Sequence, residues 1–209
     1  MGKLYDVGNF IIFGIKVQLY FLFAVIKGGI IFGIFPGFLL VYRIVLNCID
    51  ERSITHVGLL DQMEKIQKNE KMKSNVIGYI SAILLVILTF NLQISNVFFQ
   101  SVQFNILTLV LMVAIVATTL HTLPILSKYE LPIKQYFLQA FLLSIISIFD
   151  TLAMIIGMIL AAIFGFIIPP LGLFAGIPLI FIPYVWFSKS AIKRLETVLY
   201  KMKEENDAQ

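Results

Sequence analysis

Residues 10–46 read FIIFGIKVQLYFLFAVIKGGIIFGIFPGFLLVYRIVL, and this stretch decides the fold. It is almost continuously apolar, with Lys16, Lys27 and Arg43 as its only charged residues. As a single helix rising about 1.5 Å per residue it would extend about 55 Å, where the hydrocarbon core of a bilayer asks for about 30 Å. The stretch therefore reads as two short membrane spans, 10–26 and 30–46, turning at Lys27-Gly28-Gly29. The alternative is one long bent helix.

The rest of the chain has the same character. Of 209 residues, 59% are hydrophobic and 13% are charged, whereas a soluble domain is about 45–50% apolar and about 25% charged. The fold class is all-α, a polytopic helical membrane protein of about six spans in one integral membrane domain, 1–209. The four further spans are 75–94, 104–123, 137–162 and 167–187. Segment 47–74 reads as a cytoplasmic amphipathic helix. Leu59, Met63 and Ile66 share a face, and Asp61/Lys65 and Glu64/Lys68 stand in the favourable acid-first i,i+4 order. Pro124 and Pro132 are expected to stop helices around a cytoplasmic elbow. Tyr184, Trp186 and Phe187 read as an interfacial aromatic belt, followed by a basic tail, 188–209.

Every Lys and Arg except Lys16 and Lys27 falls at the N-terminus, in 43–73, in 128–134 or in 189–203. The connections 94–103 and 166–172 carry none. Basic loops are retained on the cytoplasmic side during insertion, so a multi-pass cell-membrane protein with both termini cytoplasmic is expected. The net charge of +4 then answers anionic lipid headgroups, not nucleic acid.

Three ionisable residues lie inside apolar spans: Lys16, His121 and Asp150. Charge at membrane depth is costly and marks a buried pair or a functional site. Asp150 falls about twelve residues into the span 137–162, near the midplane, with Ser144, Ser147 and Thr151 on or beside its face. Lys16 is placed to reach toward it, as a structural pair or as part of a polar cavity for a proton or ligand; the remaining alternative is that Lys16 snorkels to the interface. His121 stands nearer the inner end, beside Thr118 and Thr122. Gly29, Gly33 and Gly37 make consecutive small-residue steps that let another backbone approach, within the chain or in a homo-oligomer. Pro36 cannot donate to the Phe32 carbonyl, so a kink is expected there, with the freed carbonyl facing protein or water. A weak internal echo runs from Gly33-Ile34-Phe35-Pro36 to Tyr42 and from Gly176-Ile177-Pro178 to Tyr184. Cys48 is alone, and no HExxH, CxxC or phosphate-loop motif occurs. No catalytic centre, cofactor or metal is expected.

Gly28, Phe32-Gly33-Ile34-Phe35-Pro36 and Arg43 together resemble the signature of the YesL-like family of bacterial membrane proteins. Lys73-Ser74-Asn75, His121-Thr122-Leu123-Pro124 with Tyr129, and Thr151 are similar to further family positions. Gly37-Phe38 departs from the family's Ala-Thr, Gln18 from an Asn, Phe21 from a Trp and Lys27 from an apolar residue. The resemblance implies a non-enzymatic accessory role in carbohydrate uptake, with a sugar transporter complex as partner, and no mechanism. The alternative is a small secondary carrier or channel using Lys16, His121 and Asp150 around the Pro36 kink. A polar cavity joining those three residues would favour the carrier; separate dry pairings would favour the accessory protein.

Overall fold

The computed structural model describes residues 2–51, 68–95 and 102–207. Among them are seven α-helices and no strand: α1 Gly2–Lys27, α2 Ile34–Glu51, α3 Lys68–Ile94, α4 Val102–Lys128, α5 Ile133–Ile146, α6 Ile148–Ile167 and α7 Pro169–Asp207. A short 3-10 turn, Ile30–Gly33, joins α1 to α2. Most of the expected amphipathic helix, 52–67, lies outside the described residues, as does the outer turn 96–101.

Five helices, α2, α3, α4, α6 and α7, are long and apolar enough to cross a membrane. The chain is thus an all-α polytopic membrane protein. The expected span 10–26 lies in α1, whose 26 residues extend about 39 Å. Lipid tails are as apolar as Leu, so association rests on close packing and on polar contacts between helices. α2 is the centre: Leu39, Leu40, Val41, Tyr42, Ile44 and Val45 are all buried. α7 packs against α1, α2, α4, α5 and α6. The outward faces of α3, α4 and α6 carry exposed Ile, Leu, Val and Phe, as lipid-facing surfaces do.

The stretch 10–46 is two helices. α1 stops at Lys27, and Gly29 adopts φ +74, followed by Ile30 at φ 60. The three glycines of the expected stripe do different work. A Cβ on Gly33 would lie 2.5 Å from the Val25 carbonyl oxygen, and one on Gly37 would lie 2.9 Å from the Phe21 ring. Gly29 has open space around it, so it supplies a backbone angle rather than a packing face. The close approach is between α1 and α2 of the same chain.

Pro36 does not kink a span. It sits in the first turn of α2, where the N–H it lacks would have no helical partner. The carbonyls exposed by the break are taken by α3: Asn75 Nδ2 donates to the Phe32 oxygen at 2.9 Å, and the Tyr79 hydroxyl to the Ile31 oxygen at 2.5 Å. Pro124 also departs from expectation, because α4 runs through it to Lys128. The carbonyl it leaves free, Leu120, accepts the Tyr184 hydroxyl at 2.5 Å. Tyr184 is consequently buried in the core and does not join an interfacial belt, whereas Trp186 is 62% exposed.

The expected fifth span, 137–162, is broken at Ser147, whose φ −115 and ψ 43 are non-helical. α5, with 14 residues, reaches about 21 Å, too short to cross a roughly 30 Å core. The crossing is made by α6 instead. No Gly or Pro marks this break. Ser144 and Ser147 donate their hydroxyls to the Phe141 and Leu143 carbonyls beside it, back-bonding of the kind that favours a bend. α6 and α7 then form a tight hairpin, with Gly157 against Pro183 and Gly165 against Gly172. α7 deviates at Ala175 (φ −140, ψ 19), and Gln18 of α1 accepts the Ile177 N–H there at 3.2 Å. Beyond that point α7 continues without interruption through 188 to Asp207.

Candidate functional site

The polar side chains concentrate at one end of the bundle, where the basic segments meet. Arg43 forms a two-pronged pair with Glu70, its NH2 nitrogen 2.7 Å from Oε1 and its NH1 nitrogen 3.1 Å from Oε2. This ties the end of α2 to the start of α3. Lys189 pairs with Asp50, joining α7 to α2, and Lys128 pairs with Glu196, joining α4 to α7. The Tyr129 hydroxyl also donates to Glu196 at 3.1 Å. Burial, and then the neighbouring Glu196 carboxylate, push this phenol's pKa up, so it remains a protonated donor. Tyr136 closes the elbow, donating to the Tyr129 carbonyl and accepting the Leu131 N–H.

One layer deeper lies the cluster built around the Ser147 break. Asp150 is the third residue of α6 rather than a midplane residue, and its carboxylate stands in the first turn, where the helix dipole favours negative charge. Asp150 Oδ2 lies 3.1 Å from Arg194 Nε. The pair lacks hydrogen-bond alignment, because Oδ2 is buried and accepts no hydrogen bond. Thr151 donates to the Ser147 carbonyl at 3.0 Å, and its oxygen lies 2.8 Å from His121 Nε2. Since the single Thr151 hydroxyl proton is already committed to Ser147, Nε2 must be the donor. Nδ1 is the other ring nitrogen. It is buried without a partner, in a side chain that is 0% exposed.

The three expected site residues therefore do not converge. His121 and Asp150 belong to one cluster through the adjacent Thr151. Lys16 is exposed on α1 and makes no ion pair among the described residues, and Asp150 pairs with Arg194 instead. Arg194 was missed because it falls in the segment read as a basic tail beyond the last span, where Ala191, Ile192 and Leu195 around it are buried. The signal was there: an apolar i,i+3,i+4 stripe continues from the last span into that segment.

Between α2, α3, α4 and α7 lies a cavity of ≈ 260 Å³, bounded by Phe35, Phe38, Leu120, Leu123, Phe181 and Tyr184. Its walls are mainly aromatic and aliphatic, with hydroxyl groups on Ser74, Thr119, Thr122 and Tyr184. Phe35 lies across Gly78, where a Cβ would fall 2.2 Å from the ring. The two tyrosines of the sequence echo, Tyr42 and Tyr184, meet edge to face here with ring centres 5.6 Å apart. The Tyr42 hydroxyl shares a 3.0 Å hydrogen bond with Ser188. These contacts lock α2, α4 and α7 together without leaving a charged path through the bundle's middle.

Among the described residues no group of His, Cys, Asp and Glu is arranged to hold a metal ion. Comparison of the chain with protein-family models, curated proteins and solved structures found no match.

Proposed function

We propose that this protein is a non-enzymatic membrane subunit that packs beside a transporter, with both termini in the cytoplasm. The observation that supports this reading is the separation of Lys16 from the His121–Thr151–Asp150 cluster, whose members are held by neighbouring helices. Lys16 faces outward on α1, His121 is occupied by Thr151, and Asp150 by Arg194. The central cavity between the helices is apolar. A carrier of polar solutes needs a polar site that both sides can reach, and these residues serve packing instead. A role in carbohydrate uptake rests on the YesL-like resemblance alone.

The test is purification of the full chain from native membranes in a gentle detergent, with mass spectrometry of what accompanies it. Stoichiometric recovery of transporter subunits is the expected result. Recovery of the chain alone, together with solute flux in proteoliposomes that Asp150→Asn abolishes, would establish the carrier instead. That second reading draws on two buried acceptors without hydrogen-bond partners, His121 Nδ1 and Asp150 Oδ2. Orientation is tested separately. Cysteines placed at Ser53 and Ser101 in a Cys48→Ser background should label from opposite sides, and labelling of both from outside overturns the cytoplasmic assignment of the termini.

A further inference from the structure

At the charged end of the bundle, the last turn of α2 and the middle of α7 leave a groove of ≈ 650 Å³ that neither helix fills. Its floor includes Ile49 and its wall is Trp186, while Asp50, Lys189, Ser190 and Lys193 stand around it. Trp186 and Ser190, and Lys189 and Lys193, are i,i+4 pairs, so the four residues form one continuous strip of α7. Lys189 is paired with Asp50. Lys193 is exposed and has no ion pair among the described residues. The two ammonium groups and one carboxylate leave a single positive charge in excess.

We infer that this groove binds one anionic phospholipid of the adjoining leaflet, its phosphate held by Lys193 and Ser190 and its acyl chain laid along Trp186 and Ile49. Three observations select this occupant. The excess of one positive charge matches a headgroup with one net negative charge and disfavours a zwitterionic one, whose ammonium would face Lys193. The exposed Trp186 is the side chain that settles at the boundary between headgroups and tails. The groove lies between two spans on the basic side, where such pockets take acidic headgroups. A lone surface lysine would attract counter-ions but would offer no slot for a chain.

The experiment uses the full chain in nanodiscs of equimolar phosphatidylglycerol and phosphatidylcholine, followed by native mass spectrometry of the released protein. The wild type should retain one phosphatidylglycerol in preference to phosphatidylcholine. Lys193→Gln should lower that retention by about fivefold, the effect expected of one basic residue near the surface. Lys71→Gln, which removes the same charge from α3 outside the groove, should leave retention unchanged. Equal loss in the two variants reduces the effect to general surface charge and overturns the site. Equal retention of both lipids by the wild type overturns the charge match. A photo-crosslinker at position 190 should yield a lipid adduct, and an adduct to residues 52–67 of the chain instead would assign the groove to that segment. Circular dichroism of each variant confirms that lost binding is not lost folding.

Discussion

Two of the breaks between the described helices are made by different means. Between α1 and α2 the break uses Gly28, Gly29, Gly33 and Pro36, residues that cannot continue a helix or need not. Between α5 and α6 it uses Ser144 and Ser147, whose hydroxyls are donated to their own helix's carbonyls. The first break is packed from within, backbone against backbone, and its loose carbonyls are capped from α3 by Asn75 and Tyr79. The second sets Asp150 and Thr151 in the first turn of a new helix, where His121 and Arg194 reach them. A steric break thus makes a closed corner, whereas a hydrogen-bonded break makes a polar one.

The largest test of that contrast falls on the steric corner. Gly33→Leu forces a side chain into the Val25 backbone and should cost about 3 kcal/mol or more, the upper range of overpacking. Gly29→Ala meets open space and bears only the left-handed backbone penalty, about 1–2 kcal/mol. Equilibrium unfolding in mixed micelles measures both, and equal losses would remove the distinction between packing and backbone angle.

At the polar corner, Thr151→Val keeps the shape but strands the His121 Nε2 donor, a loss of about 1–3 kcal/mol for a buried unsatisfied group. The same unfolding assay applies, and no loss would mean that His121 finds another acceptor.

The Leu120 carbonyl, left free by Pro124, offers a cleaner discrimination. Tyr184→Phe should cost about 1 kcal/mol by leaving the Leu120 oxygen unmet. In a Pro124→Ala background the restored N–H supplies that oxygen, so the same Tyr184→Phe change should cost clearly less. Additive losses in the double mutant would show that the Tyr184 hydroxyl matters for another reason.

The smallest expected effect concerns the ion pair. A double-mutant cycle of Asp150→Asn with Arg194→Met should give a coupling of about 0.5–1 kcal/mol, modest because Arg194 is half-exposed. The cycle of Asp150→Asn with Lys16→Met should give none. Coupling to Lys16 rather than to Arg194 would restore the pairing that the sequence suggested.

Much of this architecture could be read from composition and periodicity. Glycine and proline are local signals, and the turn after Lys27 follows from their backbone preferences alone. The Ser147 break could not be read that way. Serine or threonine within an apolar run is compatible with an unbroken helix, as the same back-bonding at Thr118, Thr119 and Ser188 shows. That one omission moved Asp150 from the first turn of a helix to the middle of a span and left out Arg194, which lies 3.1 Å from it. Pro124 failed in the other direction: a proline is a stop signal in isolation, but Tyr184, sixty residues on in the chain, satisfies the oxygen that would otherwise penalise continuing. At Pro124 a local rule missed what a distant hydrogen bond decided.

α7 is the helix on which α1, α2, α4, α5 and α6 all lean, and it follows every one of them in the chain. During biosynthesis the earlier helices must therefore enter the bilayer and wait, their Leu120 carbonyl, Tyr42 hydroxyl and Asp150 carboxylate unmatched, until residues 169–207 have been made. Packing of the described bundle thus waits on α7: a ribosome stalled before Tyr184 would leave on the membrane a set of inserted spans whose Leu120, Tyr42 and Asp150 groups have not met their partners.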